Sequence, residues 1–560
     1  MTFAQQKILQ QQLSGVRTLF QMRKLDAKRV DELAPLIEHF EIRIPFIGGF
    51  SSGKSSLINA LLEDPLLSTE VTPETAVAAE LRFGKVPRFV GYKGDGQTVA
   101  VTRQQIEDNQ LQMLLPKGWL AIEMPCAALA DIQQLVLVDM PGWGSGVDAH
   151  QRVVDDYASR SLAYAVVVSA EEGTLRDSLR RALLELAIQE KPVVLVVTKA
   201  HKRPDSDVAN VTRQLTDEIT QLMGRPPLAT SVTSAGKRDV AQLKTALALL
   251  QSRAENVFFH SVTQPWRGQL QHAAQLMQMM AGQDFKDAEA IAADIDTFEQ
   301  KMAEFDQRLQ RETEGLEERV GPILGAIRIR VDNALSQRLE SLTSRALDGS
   351  NISDDVIGTA RLVVAQALKE EFEPTMRRYL DRLVDALPTQ LDFSFDFSVK
   401  ENPASKNGDS SGSNFRWTDL TLTLVPIMAK FTGPIGLVIG SLIPILARLF
   451  DSKTDRQRQE AAEAQQRERA KSKVREALAQ VAGQIETQLR PVMEEQIQKA
   501  KASIAQSIAA ERADIERTLN AKRHALQQGE AEAAAQREKA QIDLNQLQAW
   551  LAALPVEGKA

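Results

Sequence analysis

A chain of 560 residues is too long for one hydrophobic core, so two to four domains are expected. The net charge of -7 argues against bulk nucleic-acid binding, and the lone Cys126 excludes an intrachain disulfide framework and suits a reducing compartment. Aromatic content of only 5%, beside abundant Ala, Gln, Glu and Arg, suits long helices.

The N-terminal stretch MTFAQQKILQQQ has no apolar core of signal-peptide type, so a cytoplasmic start is the expectation. Leu13, Val16, Phe20, Leu25, Val30, Leu33 and Leu36 form a broken apolar stripe, which predicts helix over residues 1–40. From 41 to 255 short β-branched runs alternate with helical stretches. Residues 42–48, 76–84, 134–142, 163–170, 192–199 and 229–236 read as strands, and 90–101 reads as a hairpin with a Gly-Asp-Gly turn. Near-continuous apolar runs imply strands covered on both faces, hence an α/β domain with a mainly parallel sheet.

The first of these strands runs into GGFSSGKSS and then the helical SLINALL. Gly48, Gly53, Lys54 and Ser55 fit G-x-x-x-x-G-K-S in the strand-to-helix setting that this motif requires. Backbone N–H groups of Gly48, Ser51, Ser52, Gly53, Ser55 and Ser56 would wrap phosphates, Lys54 would supply positive charge, and Ser55 would ligate Mg²⁺. LVLVDMPG then offers Asp139 and Gly142. The D-x-x-G form, with no carboxylate directly after Asp139, points to a GTPase switch rather than an ATPase. Thr75 in TEVTPETAVAAE is the candidate switch threonine on Mg²⁺, with Thr72 as its rival. Thr198 and Lys199 open a base-reading loop, and Ser234 and Ala235 in SVTSAGK offer a second. The fourth position of the first loop, where an Asp would read guanine with two hydrogen bonds, is His201. A neutral imidazole has one acceptor nitrogen and cannot copy that pattern. Three outcomes stay open: weakened guanine binding, rescue by Asp205, or loss of useful base selectivity or turnover.

Beyond residue 256 the chain reads as helix. Ile291, Ile295, Phe298, Met302, Phe305 and Leu309 form a heptad seam. Past residue 470 the apolar positions step by eleven, through Ile497, Ile508 and Leu519, and through Ile504, Ile515 and Leu526. That period predicts a nearly straight helix with Pro491 as a kink; eighty such residues would reach about 120 Å. Charge-rich runs in this region read as solvated helix faces. Between the helical arms, residues 402–414 form a polar linker, and 420–447 is apolar apart from Lys430. Three prolines and several glycines interrupt the apolar run, and Trp417 and basic residues flank it. A shallow membrane-inserting tip is expected, built on Trp417, Leu437, Val438, Ile439, Leu442 and Ile443. A capped helix pair and a transmembrane hairpin are the other readings.

The ordered set G-x-x-x-x-G-K-S-S, P-E-T-A, D-M-P-G, T-K-x-x and T-S-A-G resembles the bacterial dynamin-like GTPases, and the size and organisation resemble the LeoA-type members. The resemblance implies a P-loop GTPase domain over 41–255 and an elongated all-α neck and trunk. The neck would join residues 1–40 to helices over 256–345 and to the end of a return segment, 451–560. Residues 346–417 would complete the trunk and linker, and 418–450 the tip. It further implies GTP and Mg²⁺ as cofactors with a monovalent cation, and Lys54, Ser51 and Thr75 as catalytic groups. The partners it implies are a lipid membrane at the tip, further copies through the GTPase domains, and other dynamin-like proteins, in a cytoplasmic, peripheral-membrane setting. Phe50 stands where eukaryotic dynamins carry a polar Gln, and Trp143 where Ras-like proteins carry a water-orienting Gln. With His201, these departures favour low basal turnover, or a nucleotide-binding membrane scaffold with negligible hydrolysis. A coiled-coil P-loop ATPase is the remaining alternative.

Overall fold

Six-residue runs such as YAVVVS and VVLVVT are too short for stable helices and too apolar for a half-exposed strand, so they can only be strands buried on both faces. The computed structural model describes residues 3–69, 77–108, 110–115, 118–140, 161–188, 190–282, 288–348, 352–384 and 463–555. In it nine strands form one sheet: β1 (Ile42–Gly48), β2 (Ala78–Phe83), β3 (Arg88–Tyr92), β4 (Thr98–Ala100), β5 (Trp119–Met124), β6 (Leu135–Asp139), β7 (Tyr164–Ser169), β8 (Val193–Thr198) and β9 (Ala229–Val232). Their order is β4-β3-β5-β2-β6-β1-β7-β8-β9.

Five neighbours, β6 to β9 through β1, run parallel. The expected mainly parallel sheet is therefore present on that side. On the other side β2 turns antiparallel to β6, β5 follows β2, and the β3–β4 hairpin closes the edge. Strand β5 is not among the sequence expectations. It is a six-residue run held by cross-strand pairing, with Trp119 opposite Tyr92 and their rings stacked at 4.1 Å.

Side chains alternate between two cores. Tyr164, Val166 and Val168 of β7 face one apolar layer with Val193, Leu195 and Val197 of β8, while Ala165, Val167, Val194 and Val196 face the other. The first layer is covered by α4 (Asp177–Ile188) and α5 (Asp205–Met223). The second is covered by α3 (Lys54–Leu62) and α6 (Ala241–Phe258), and its apolar cluster continues without a break into the helical part.

Residues 1–40, expected as helix, form two helices, α1 (Ala4–Arg23) and α2 (Lys28–Glu38). The chain leaves α6 through a π-turn at Phe259–Thr263 into α7 (Gln264–Ala281). Then come α8 (Ala288–Gln337), α9 (Leu339–Leu347), α10 (Ser353–Ala367), a second π-turn at Leu368–Phe372, and α11 (Glu373–Val384). The return path is α12 (Glu463–Gln528) and α13 (Glu530–Ala553). α1, α7 and α13 meet at Gln12, whose amide accepts from Trp266 Nε1 at 3.0 Å and donates to Trp550 O at 3.0 Å.

The heptad residues of α8 are buried, as the seam requires. The eleven-residue stripes also hold, with Ile497, Ile504, Ile508, Ile515 and Leu519 buried and Leu526 packed against the same core. The straight run is shorter than eighty residues. α12 is 66 residues long and passes through Pro491, and Gly529 at φ 116° then separates it from α13. Only glycine holds that backbone geometry without strain.

The helices also return to the sheet domain. Arg361 of α10 and Glu185 of α4 form a buried ion pair at 3.0 Å, and Lys369 Nζ donates to Ile188 O at 2.8 Å. Among the described residues, no helix is long and apolar enough to cross a membrane. The proposed tip, Trp417 and Leu437 to Ile443 included, lies outside the described residues, as do Thr72, Thr75, Gly142 and Trp143.

Candidate nucleotide site

Parallel strands end together, so the C-terminal ends of β1, β6, β7, β8 and β9 gather at one edge of the sheet. The P-loop, Asp139 and the two base-side loops singled out in the sequence lie at these ends. β1 delivers the P-loop. Gly48 has no room for a side chain, since a Cβ would sit 2.2 Å from Val167 O. Ser51 and Gly53 take positive φ values of 64° and 90°, which curl the loop before α3 begins at Lys54.

Lys54 is buried, and its Nζ donates to Gly48 O at 3.1 Å and Gly49 O at 3.2 Å. Burial lowers its pKa to about 8, against the opposing pull of the Asp139 carboxylate. The ammonium thus closes the loop upon itself.

Ser55 Oγ donates to Asp139 Oδ2 at 2.6 Å. The register of β1 and β6 causes this approach, because it sets Phe46 beside Asp139. Asp139 Oδ1 is shielded from solvent and has no hydrogen-bond partner among the described residues. Desolvation raises the Asp139 pKa, with the Ser55 bond and Lys54 opposing. A hydroxyl and an unsatisfied carboxylate are the hard oxygen donors that Mg²⁺ takes, usually together with waters and phosphate oxygens. Ser55 and Asp139 therefore fit Mg²⁺, which would supply charge neutralisation between phosphates.

The base side is tied to the phosphate side. Thr198 Oγ1 donates to Ser52 O, linking the end of β8 to the P-loop. Lys199 follows at φ 55° and pairs with Glu171 at 3.1 Å. His201 Nδ1 lies 2.7 Å from Ser234 Oγ, which also accepts from Lys237 N at 3.3 Å. Ala235 opens the short turn that follows. Lys54, Ser55, Asp139, Thr198, Lys199, Ser234 and Ala235 are thus gathered at one edge of the sheet. Asp205 stands apart as the exposed first residue of α5, where a carboxylate suits the helix N-terminus, while His201 meets Ser234. Ser51 is exposed at the loop crest, and Ser56 lies in the first turn of α3.

One residue escaped the sequence reading. Arg176, just before α4, reaches over the P-loop, and its Nε lies 3.2 Å from where a Gly49 Cβ would stand. It also pairs with Glu172. No motif marks it, because its place depends on how the β7–α4 connection folds across the loop.

Comparison with known proteins fits this geometry. The chain is 31% identical over 118 residues to the isoniazid-induced protein IniC of Mycobacterium tuberculosis, a match covering 20% of this chain and 23% of that protein. It is 25% identical over 222 residues to a probable transmembrane GTPase, FZO-like and chloroplastic, of Arabidopsis thaliana, covering 39% of this chain and 21% of that one. The matched part therefore spans less than a quarter of either relative's length. A solved structure of an oligomerised bacterial dynamin pair aligns with 99% of this chain and 82% of its own, at 14% identity and a TM-score of 0.38. Residues 44–200, which carry the P-loop, Asp139 and Lys199, match the model of the Dynamin family.

Proposed function

We propose that the protein binds GTP with Mg²⁺, hydrolyses it slowly, associates through its GTPase domains and acts on a lipid membrane. The observation that carries the nucleotide part is the joined set of Lys54, Ser55–Asp139 and Thr198–Ser52, which builds a phosphate cradle linked to a base loop. Lys54 binds the β- and γ-phosphates. Ser55, Asp139 and Thr75 hold the metal, and Gly142 N–H senses the γ-phosphate. Ser51 and Thr75 assist the attacking water, with a monovalent cation as a further candidate. Phe50 and Trp143 supply no polar group for that water, which supports slow basal turnover.

The membrane part rests on chain order. The apolar run at 420–447 lies between helices that leave the GTPase domain and helices that return to it. A lipid surface there, other copies of the chain and other dynamin-like proteins are the proposed partners. The test is sedimentation with a non-hydrolysable GTP analogue, Mg²⁺ and liposomes. Assembly that requires both nucleotide and lipid is expected; a monomer at every concentration counts against the reading.

A further inference from the structure

Resting on the nucleotide reading above, we propose that His201, fixed by Ser234 and accommodated by Gly236, makes the site a reader of 6-oxopurine nucleotides that is indifferent to the 2-amino group of guanine. Hypoxanthine nucleotides would then bind as well as guanine nucleotides.

The argument starts from the count of available atoms. An imidazole has two ring nitrogens, and Nδ1 is 2.7 Å from Ser234 Oγ. Ser234 is itself buried and held by Lys237 N–H, so it is a fixed anchor. Only Nε2 remains to meet a base. A carboxylate at this position could take both N1–H and the 2-amino group, but one nitrogen takes one bond. If Nδ1–H donates to Ser234, Nε2 accepts from N1–H. If the Ser234 hydroxyl donates, Nε2–H donates to O6. Both partners occur in hypoxanthine as well as in guanine.

Gly236 is the second half of the device. The ring lies across it, and a Cβ at that position would stand 3.3 Å from Cε1 and 3.4 Å from Nε2. A side chain there would crowd the imidazole out of its place against Ser234. Adenine is excluded by a different group. Ala235 begins the short turn after β9, and its backbone N–H can only donate. Donating to O6 suits a 6-oxopurine and disfavours a 6-amino group.

Equilibrium binding of GTP, ITP and ATP, each with Mg²⁺, to the full chain tests this, with His201→Asp and His201→Ala alongside. The wild type is expected to bind GTP and ITP within about threefold of each other, and ATP at least about tenfold more weakly. In His201→Asp the preference for GTP over ITP should rise at least about tenfold, because a charged acceptor now meets the 2-amino group. His201→Ala should weaken GTP and ITP together and leave their ratio near one. A wild type that prefers GTP over ITP by tenfold or more overturns the inference while the nucleotide reading stands. So does His201→Ala with unchanged affinities, whereas equal binding of ATP overturns the inference and the GTP reading together. Binding of no nucleotide at all overturns both.

Discussion

Lys54 and Thr198 show how single side chains build this site. Lys54 is buried against two carbonyls of its own loop, and Thr198 ties the base loop to the P-loop backbone. Thr198→Val keeps the volume but leaves the buried Ser52 carbonyl without that donor. A loss of about 1–3 kcal/mol is expected, read as a lower melting temperature of the purified protein; an unchanged midpoint would show the bond to be dispensable. At this scale much was legible in the sequence. The P-loop and Asp139 were, because glycines, a lysine and a carboxylate at set spacing leave few alternatives. The fate of His201 was not, since its bond to Ser234 joins residues 33 positions apart. Arg176 was hidden for the same reason: its position over Gly49 is a tertiary fact with no local pattern.

At the scale of elements, α4 is the hinge-pin of the account. Its start lies by the P-loop through Arg176, and its body meets the trunk through Glu185 and Arg361. Both members of that pair are buried, so removing one deprives the other of its 3.0 Å charge partner away from water. Arg361→Ala should destabilise the α4–α10 contact by about 3–5 kcal/mol, whereas a double change of Arg361 and Glu185 to leucine should cost much less. Amide exchange across residues 177–188 and 353–367 reads this directly. If the single change leaves exchange as slow as in the wild type, the contact does not hold the two parts together. The strands β1, β2, β6, β7, β8 and β9 were readable from apolar runs, and α8 and α12 from their periods. β5 was not, because six residues of mixed polarity carry little periodic signal until Tyr92 and Trp119 are paired. The end of α12 at Gly529 was also missed, although a glycine in a long helical pattern is the signal that could have marked it.

For the whole molecule, one apolar cluster runs from Phe3 to Leu554, so one face of the sheet and the helices share a core. Movement at the nucleotide edge would therefore be felt by the helices packed on that core. Deletion of 430–447 tests the membrane part of the proposal: the wild type should float with liposomes and the deletion should stay in the soluble fraction. Equal flotation of both would remove the tip from the account. The α/β-then-helical order was plain from the change in texture near residue 256. The return of α10 to α4 was not, since a helix pattern tells which face is buried but not against what. The central claim is that this edge of the sheet is a guanine-nucleotide site organised by Lys54. Equilibrium binding of fluorescent GTP and ATP analogues with Mg²⁺, to the wild type and to Lys54→Ala, tests it most directly. The account predicts GTP bound at least about tenfold more tightly than ATP, and that binding lost in Lys54→Ala. Equal binding of the two nucleotides, or GTP binding that survives Lys54→Ala, would contradict it.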